Sequence, residues 1–139
     1  MKLLCFQARR FRWKTESKTL PEMANVDVEA ELTNALVVFL HAEESDGEEQ
    51  RSNPVFRGTL KHIKWLANKR ELRNIAIHSF THLGGQTAEP HWANTFIQNL
   101  ADRLRDTGYD VAITPFGYSC EWDLSVYGNS LAKVWKEIH

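Results

Sequence analysis

Two rhythms alternate in the apolar positions of this chain, and together they predict an α/β architecture. "ALVVFLHA" (35–42) is a continuous apolar run, the mark of a strand covered on both faces. "KLLCFQA" (2–8) reads as a short strand and "RRFRWK" (9–14) as a second one. In the latter, Phe11 and Trp13 alternate with Arg10, Arg12 and Lys14, as on a half-buried edge strand whose basic side meets water. From Pro54 to about Arg70 the period becomes helical. Val55, Phe56, Leu60, Ile63, Leu66 and Ala67 gather on one face, with Asn53 as cap and Pro54 in the first turn. "NIAIHS" (74–79) is again a strand. Pro90 to Thr107 is the clearest helix, because Trp92, Phe96, Leu100 and Leu104 recur every four residues and Gly108 follows in the C′ position. "YDVAIT" (109–114) is a strand ended by Pro115 and Gly117. "YSCEWDLSV" (118–126) alternates, with Tyr118, Cys120, Trp122, Leu124 and Val126 on one side. Asn129 caps a predicted last helix, 130–138, and the 16–34 segment reads as a loop with a short helix.

The predicted order is β, β, β, α, β, α, β, β, α. It describes a single α/β domain over residues 1–139, a mixed β-sheet with helices packed against it. A chain of this size buries roughly two-thirds of its unfolded surface, enough for a real core. A net charge of -1 removes any whole-molecule attraction for nucleic acid, so an RNA contact has to use a local patch. Two stretches offer one: "RRFRWK", and Lys61, Lys64, Lys69 and Arg70 on the first helix. Both also read as solvated faces. "EESDGEEQ" (43–50) carries too much charge to bury and reads as a solvated loop, lying away from any RNA path. Cys5 and Cys120 stand in strand-like surroundings outside any CxxC pair, as reduced, buried thiols do in a cytosolic protein. The N-terminus lacks a signal-peptide h-region, and no stretch approaches the ~20 apolar residues of a membrane span. The expected location is cytoplasmic, with no membrane partner.

The stretch that carries chemistry is "IAIHSFTHLGG" (75–85), where a strand runs into Ser79, Phe80, Thr81 and His82 beside two glycines. The residues alone leave three readings open. His82 is a structural histidine at a strand–turn–helix junction; or His78, His82 and His91 hold a metal with Cys5 or Cys120; or the strand end is a ligand site. The metal reading matches no zinc template, and four-residue spacing across a strand end does not align side chains. The ligand reading draws on a general property of sheet–helix folds, which gather ligands beyond strand ends.

"HSFTHLGGQTAEP", the helix ending "LRDTGYDVAITPFGYSCEW", and "YGNSLAKV" resemble the N-terminal editing domain of archaeal threonyl-tRNA synthetases. That domain is similar in fold to D-aminoacyl-tRNA deacylases. The likeness extends to "MKLLCFQA" and "ALVVFLHAEESD", with 9–34 its least certain part. It implies hydrolysis of serine from the tRNA for threonine. Serine lacks one methyl of threonine, a difference that a binding pocket discriminates by only ~1–3 kcal/mol, so a second sieve is needed. The resemblance implies an aminoacyl group held beside Phe80 by backbone groups of Ser79 and Thr81, with His82 shaping a pocket that excludes threonine. Tyr118 belongs to the same substrate-binding set. The ribose hydroxyl of the tRNA end is implied to assist a positioned water.

The chain departs from that pattern on one side. Where the family reads tyrosine then lysine after the "PFGY" tyrosine, this sequence has Ser119 and Cys120; its histidine is Asn129 here and its glutamate is Lys133. Ser119 and Cys120 are therefore the catalytic candidates on an altered wall. The expected function is editing-type hydrolysis of misacylated tRNA, acting in trans, with the aminoacylated 3′ end of the tRNA for threonine as partner. A threonyl-tRNA synthetase lacking its own editing domain is a second implied partner, and a homodimer a third, which Trp13, Trp65 and Trp135 leave room for. No ATP-binding motif or zinc set is present, so no cofactor or metal is expected. The rival expectation is a degenerate, non-catalytic module of the same fold that binds an amino acid, an RNA end or a partner protein.

Overall fold

The longest strand of the computed structural model, which describes all 139 residues, is one continuous element where the sequence pattern suggests two. Strand β1 runs Lys2–Lys18. Its register shifts between Ala8 and Arg10, and again between Thr15 and Ser17. The first bulge inverts the side-chain parity. Leu3 and Cys5 pack into one cluster, whereas Ala8, Phe11 and Trp13 pack into another. β1 is not an edge strand. It pairs antiparallel with β2 (Glu29–His41) on one side, and with β5 (Tyr118–Val126) and β6 (Lys133–Glu137) on the other. β2 continues in parallel to β3 (Asn74–Ser79), and β3 to β4 (Asp110–Ile113). The result is a six-stranded mixed sheet ordered β4-β3-β2-β1-β5, with β6 beside β1.

Helices α1 (Glu49–Asn68) and α2 (Pro90–Asp106) bury their apolar stripes in the larger cluster, with Ile63 and Leu66 from α1 and Ile97, Leu100 and Leu104 from α2. Leu36, Val38 and Leu40 of β2, and Ile75 and Ile77 of β3, meet them from the sheet. Gly108 ends α2 as expected, with φ of +97° that a side chain would strain.

Four expectations need correction. Helix α1 starts five residues before Pro54, which sits inside it; Asn53 is not its cap. The acidic stretch is not a solvated loop. Its Ser45 lies in a 3-10 turn, Glu44–Gly47, and Asp46 is fully buried. A buried carboxylate needs a charged partner, and the amine of Met1 supplies one at 2.8 Å, with Arg51 3.4 Å away. No last helix forms: Asn129 precedes only a 3-10 turn, Ser130–Ala132, and Lys133–Glu137 are β6, paired with β1. The 16–34 segment holds no helix either. β1 extends to Lys18, and β2 begins at Glu29.

Both arginines on the basic side of "RRFRWK" are paired with carboxylates where they stand. Arg12 contacts Glu29, Glu121 and Asp123, each at 3.0 Å, and Arg10 pairs with Glu31. Just past the end of α1, Lys69 lies 5.6 Å from the ring centroid of Trp65, and Arg70 lies 3.5 Å from that of Tyr127. No helix is long and apolar enough to cross a membrane.

Candidate active site

A cleft of about 480 Å³ opens where the parallel strands β2 and β3 end. Such strand ends carry unpaired backbone groups and take ligands in sheet–helix folds. One wall is the run that continues β3, Ser79 to His82; the other is Phe116 to Cys120 with Trp122; Ala42, Ala88 and Ala93 lie between them. All seven predicted site residues (Ser79, Phe80, Thr81, His82, Tyr118, Ser119 and Cys120) line this cleft.

The first wall is held by its ends. Phe80 N–H donates to Leu40 O at 2.9 Å, and Ala88 N–H to Ala42 O at 2.9 Å. Glu89 caps α2 by accepting from the N–H groups of His91 and Trp92, both at 2.9 Å, and those bonds hold its carboxyl below the usual range. Between these anchors, Thr81 and His82 are exposed. The His82 ring lies edge-on to Phe80, 5.1 Å between centroids. Glu43 bridges to Thr87 in this loop, so the acidic segment sits beside the cleft rather than away from it.

The second wall depends on Gly117. Its φ is +78°, and a Cβ there would lie 2.7 Å from Met23, so only glycine fits. Its carbonyl accepts from Thr19 N–H at 2.7 Å. Tyr118 Oη donates to Ala24 O at 2.5 Å and accepts from Val26 N–H at 2.9 Å. These bonds bring Thr19 and Leu20 to the rim, a contribution from the segment with no readable period. Ser119 is exposed, and Cys120 is half-buried with its thiol pushed up by burial. A thiol held protonated is a poor nucleophile.

Asn129 and Lys133 do not belong to that wall. Asn129 Nδ2 donates to Gln7 Oε1 at 3.2 Å, and Lys133 reaches Gly128 O at 3.5 Å. Nor do the three nearby histidines converge. His91 is exposed in the first turn of α2, and no group of three His, Cys, Asp or Glu side chains is close enough to hold a metal ion.

Sequence reasoning gives His78 only as a metal-ligand alternative and does not single out His41. His78 lines the cleft while only 3% exposed. Its Nδ1 lies 2.7 Å from Thr114 Oγ1, and its ring meets Phe39 and Trp122 nearly at right angles. Burial drives its pKa down to about 4, so the imidazole is neutral near pH 7. His41, fully buried, bonds the loop of His82 from below through Leu83 N–H at 3.1 Å. A polar residue closing an otherwise apolar strand was the available signal for each.

No Asp, Glu, Lys or Arg lines the cleft. It offers hydroxyls, backbone groups and two imidazoles against aromatic rings. Such a site suits a small polar group bound beside an apolar body.

Residues 1–138 match the family described as the archaea-specific editing domain of threonyl-tRNA synthetase. The threonine–tRNA ligase of Staphylothermus marinus is 32% identical over 99% of this chain, and that of Hyperthermus butylicus is 30% identical over 96%. The chain spans only 22% of the length of each of these ligases. Among solved structures, one titled c-Myc DNA Unwinding Element Binding Protein superposes with a TM-score of 0.67 at 13% identity, covering 99% of this chain and 98% of that one. That likeness concerns the backbone fold alone. With the match running from the first strand through the cleft to the last, the chain belongs to the archaea-specific editing-domain family of threonyl-tRNA synthetases.

Proposed function

We propose that this domain hydrolyses misacylated tRNA, releasing serine from seryl-tRNA for threonine, and that it does so in trans for a synthetase without an editing domain of its own. The observation that carries the reading is the convergence of Ser79, Phe80, Thr81 and His82 with Tyr118, Ser119 and Cys120 on one cleft at the strand ends. Backbone groups of Ser79 and Thr81 hold the aminoacyl group, Phe80 and Tyr118 wall it, and His82 excludes the extra methyl of threonine. The fold is of the D-aminoacyl-tRNA deacylase kind. Because the walls carry no charged side chain, the oxyanion has to be met by neutral donors. Ser119 is the exposed hydroxyl for positioning water, and Cys120 shapes the wall. A homodimer completes the proposal. Trp135, 53% exposed, stands opposite Leu4 in register on the sheet face that no helix covers, and supplies apolar area for a second copy.

A second reading is favoured by that same uncharged lining: a module that binds the aminoacylated end and does not cleave it. One assay separates the two. Seryl-tRNA and threonyl-tRNA for threonine are offered to the wild type, His82→Ala and Cys120→Lys. Serine release that is selective in the wild type and lost in His82→Ala supports the deacylase. Silence in the wild type with a gain in Cys120→Lys supports the binding module. Silence in all three sinks the deacylase reading.

A further inference from the structure

The loop that carries Thr81 and His82 is fastened at both ends by backbone bonds: Phe80 N–H to Leu40 O, Glu44 N–H to Gln86 O, and Ala88 N–H to Ala42 O. Across 81–85, one backbone amide alone finds an acceptor. It is Leu83 N–H, which reaches Nδ1 of His41 at 3.1 Å. The other ring nitrogen lies 3.4 Å from Thr87 Oγ1. His41 thus spans the loop from below, at the end of β2 and out of contact with water.

The donor at Leu83 fixes the ring's state. Nδ1 must present a lone pair, so the neutral ring carries its hydrogen on Nε2, which donates to Thr87. We propose that His41 is the positioning residue of this site: its neutral ring staples the loop of Thr81 and His82 to the sheet, and protonation of that ring releases the loop.

An imidazolium would point a second N–H at the Leu83 N–H, and two donors cannot bond. The half-buried amide would lose its one partner, at a desolvation cost. Burial is the main force keeping the ring neutral. Among the charged groups that face it, Glu43 and Asp46 favour the imidazolium, while Lys2 and the Met1 amine oppose it; the net effect is a pKa below the ordinary 6.5. As the native ring resists a proton that the released ring accepts, the staple weakens as pH falls below about 6.5 and holds above it. That this loop holds the aminoacyl group rests on the function proposed above; the staple itself does not.

The test is amide hydrogen exchange on the whole chain, read residue by residue by NMR without ligand. Leu83 should be protected at about pH 7.5 and lose roughly tenfold or more of that protection in His41→Phe, while α2 amides keep theirs. His41→Asn, whose amide oxygen falls near the Nδ1 position, should restore most of it. Wild-type Leu83 should lose protection in acid before α2 does. Should His41→Phe fail to fold, that wild-type pH series decides. Leu83 protection that ignores both the substitution and the acid overturns the staple. A second arm uses the non-hydrolysable amide analogue of seryl-adenosine, which His41→Phe should bind about tenfold more weakly, by ~1.4 kcal/mol. If the wild type does not bind the analogue, the substrate assignment fails, and the exchange result stands apart from it.

Discussion

The two faces of the sheet are built from different chemistry. Toward the helices, Leu36, Val38, Ile75 and Ile77 meet Ile63, Leu66, Ile97 and Leu100 in a cluster of 24 buried residues, mostly aliphatic. Toward the other side, only six residues are buried together, with Phe11, Trp13 and Phe39 at the centre and Phe80, Cys120 and Leu124 partly buried around them. There the rings meet edge to face or tilted: Phe39 lies edge-on to His78 at 5.4 Å and tilted against Trp122 at 4.9 Å, centroid to centroid. Aliphatic side chains interdigitate and exclude water, which suits a closed face. Aromatic rings with polar edges tolerate a half-wet surface and still set a shape. The cleft opens at the strand ends and takes Phe80, Cys120 and Trp122 from the aromatic, unfinished side and Ala42, Ala88 and Ala93 from the rim of the helix side, which holds the fold.

The sharpest way to break that comparison is to make one cavity on each side. Leu100→Ala, in the closed face, should lower stability by about 2–5 kcal/mol in chemical denaturation, while the residual folded protein keeps its affinity for the seryl-adenosine analogue. Trp122→Ala, at a ring 38% exposed, should cost only ~1 kcal/mol and yet weaken the analogue several-fold. Reversed outcomes would mean that the aromatic face is the structural one.

Titration of His78 probes the same division. Its folded pKa is about 4 against an ordinary value of 6.5, so below 6.5 the unfolded chain takes a proton that the native ring refuses. Stability from this group is present above 6.5 and is lost as pH falls toward 4. The loss amounts to about 3 kcal/mol. Denaturation of the wild type and His78→Gln across that range should show the slope in the former and most of it removed in the latter. Equal slopes would place the titration elsewhere, His41 being the next group to examine.

These contrasts also explain what the chain's pattern disclosed. Periodicity was legible where one face is dry: the stripes of α1 and α2, the run 35–42, and β3 at 74–79 agree with the structure. It failed where burial is partial. β6 shows Trp135 to water and has no dry stripe to mark it as a strand; the bulge near Arg9 divides β1 into two apparent strands. The residues of the cleft were legible through the family resemblance carried by "FTHL" and "TPFGY", and the second of these motifs holds the turn that needs Gly117. Asp46 left no mark, and His41 and His78 left only the weak one of a polar residue closing an apolar strand. Their partners are the Met1 amine, Leu83 and Thr114, each more than 35 positions away in the chain. A charge or imidazole made tolerable by such a partner looks, in sequence, like any solvated one.

The smallest expected effect discriminates most finely between the faces, and it concerns the two thiols. Cys5 lies in the closed face, fully buried, its thiol pushed up to about 12. Cys120 lies half-buried on the cleft, where burial also raises it. If both are packing residues, Cys120→Ala should change stability by no more than about 0.5 kcal/mol and deacylation by no more than about twofold, and iodoacetamide near pH 7 should label Cys120 slowly. Intact folding with activity abolished would instead make Cys120 a reacting group. The aromatic face would then supply chemistry as well as shape, and the protonated thiol would need a base that the uncharged lining of the cleft can provide only as His78 or His82.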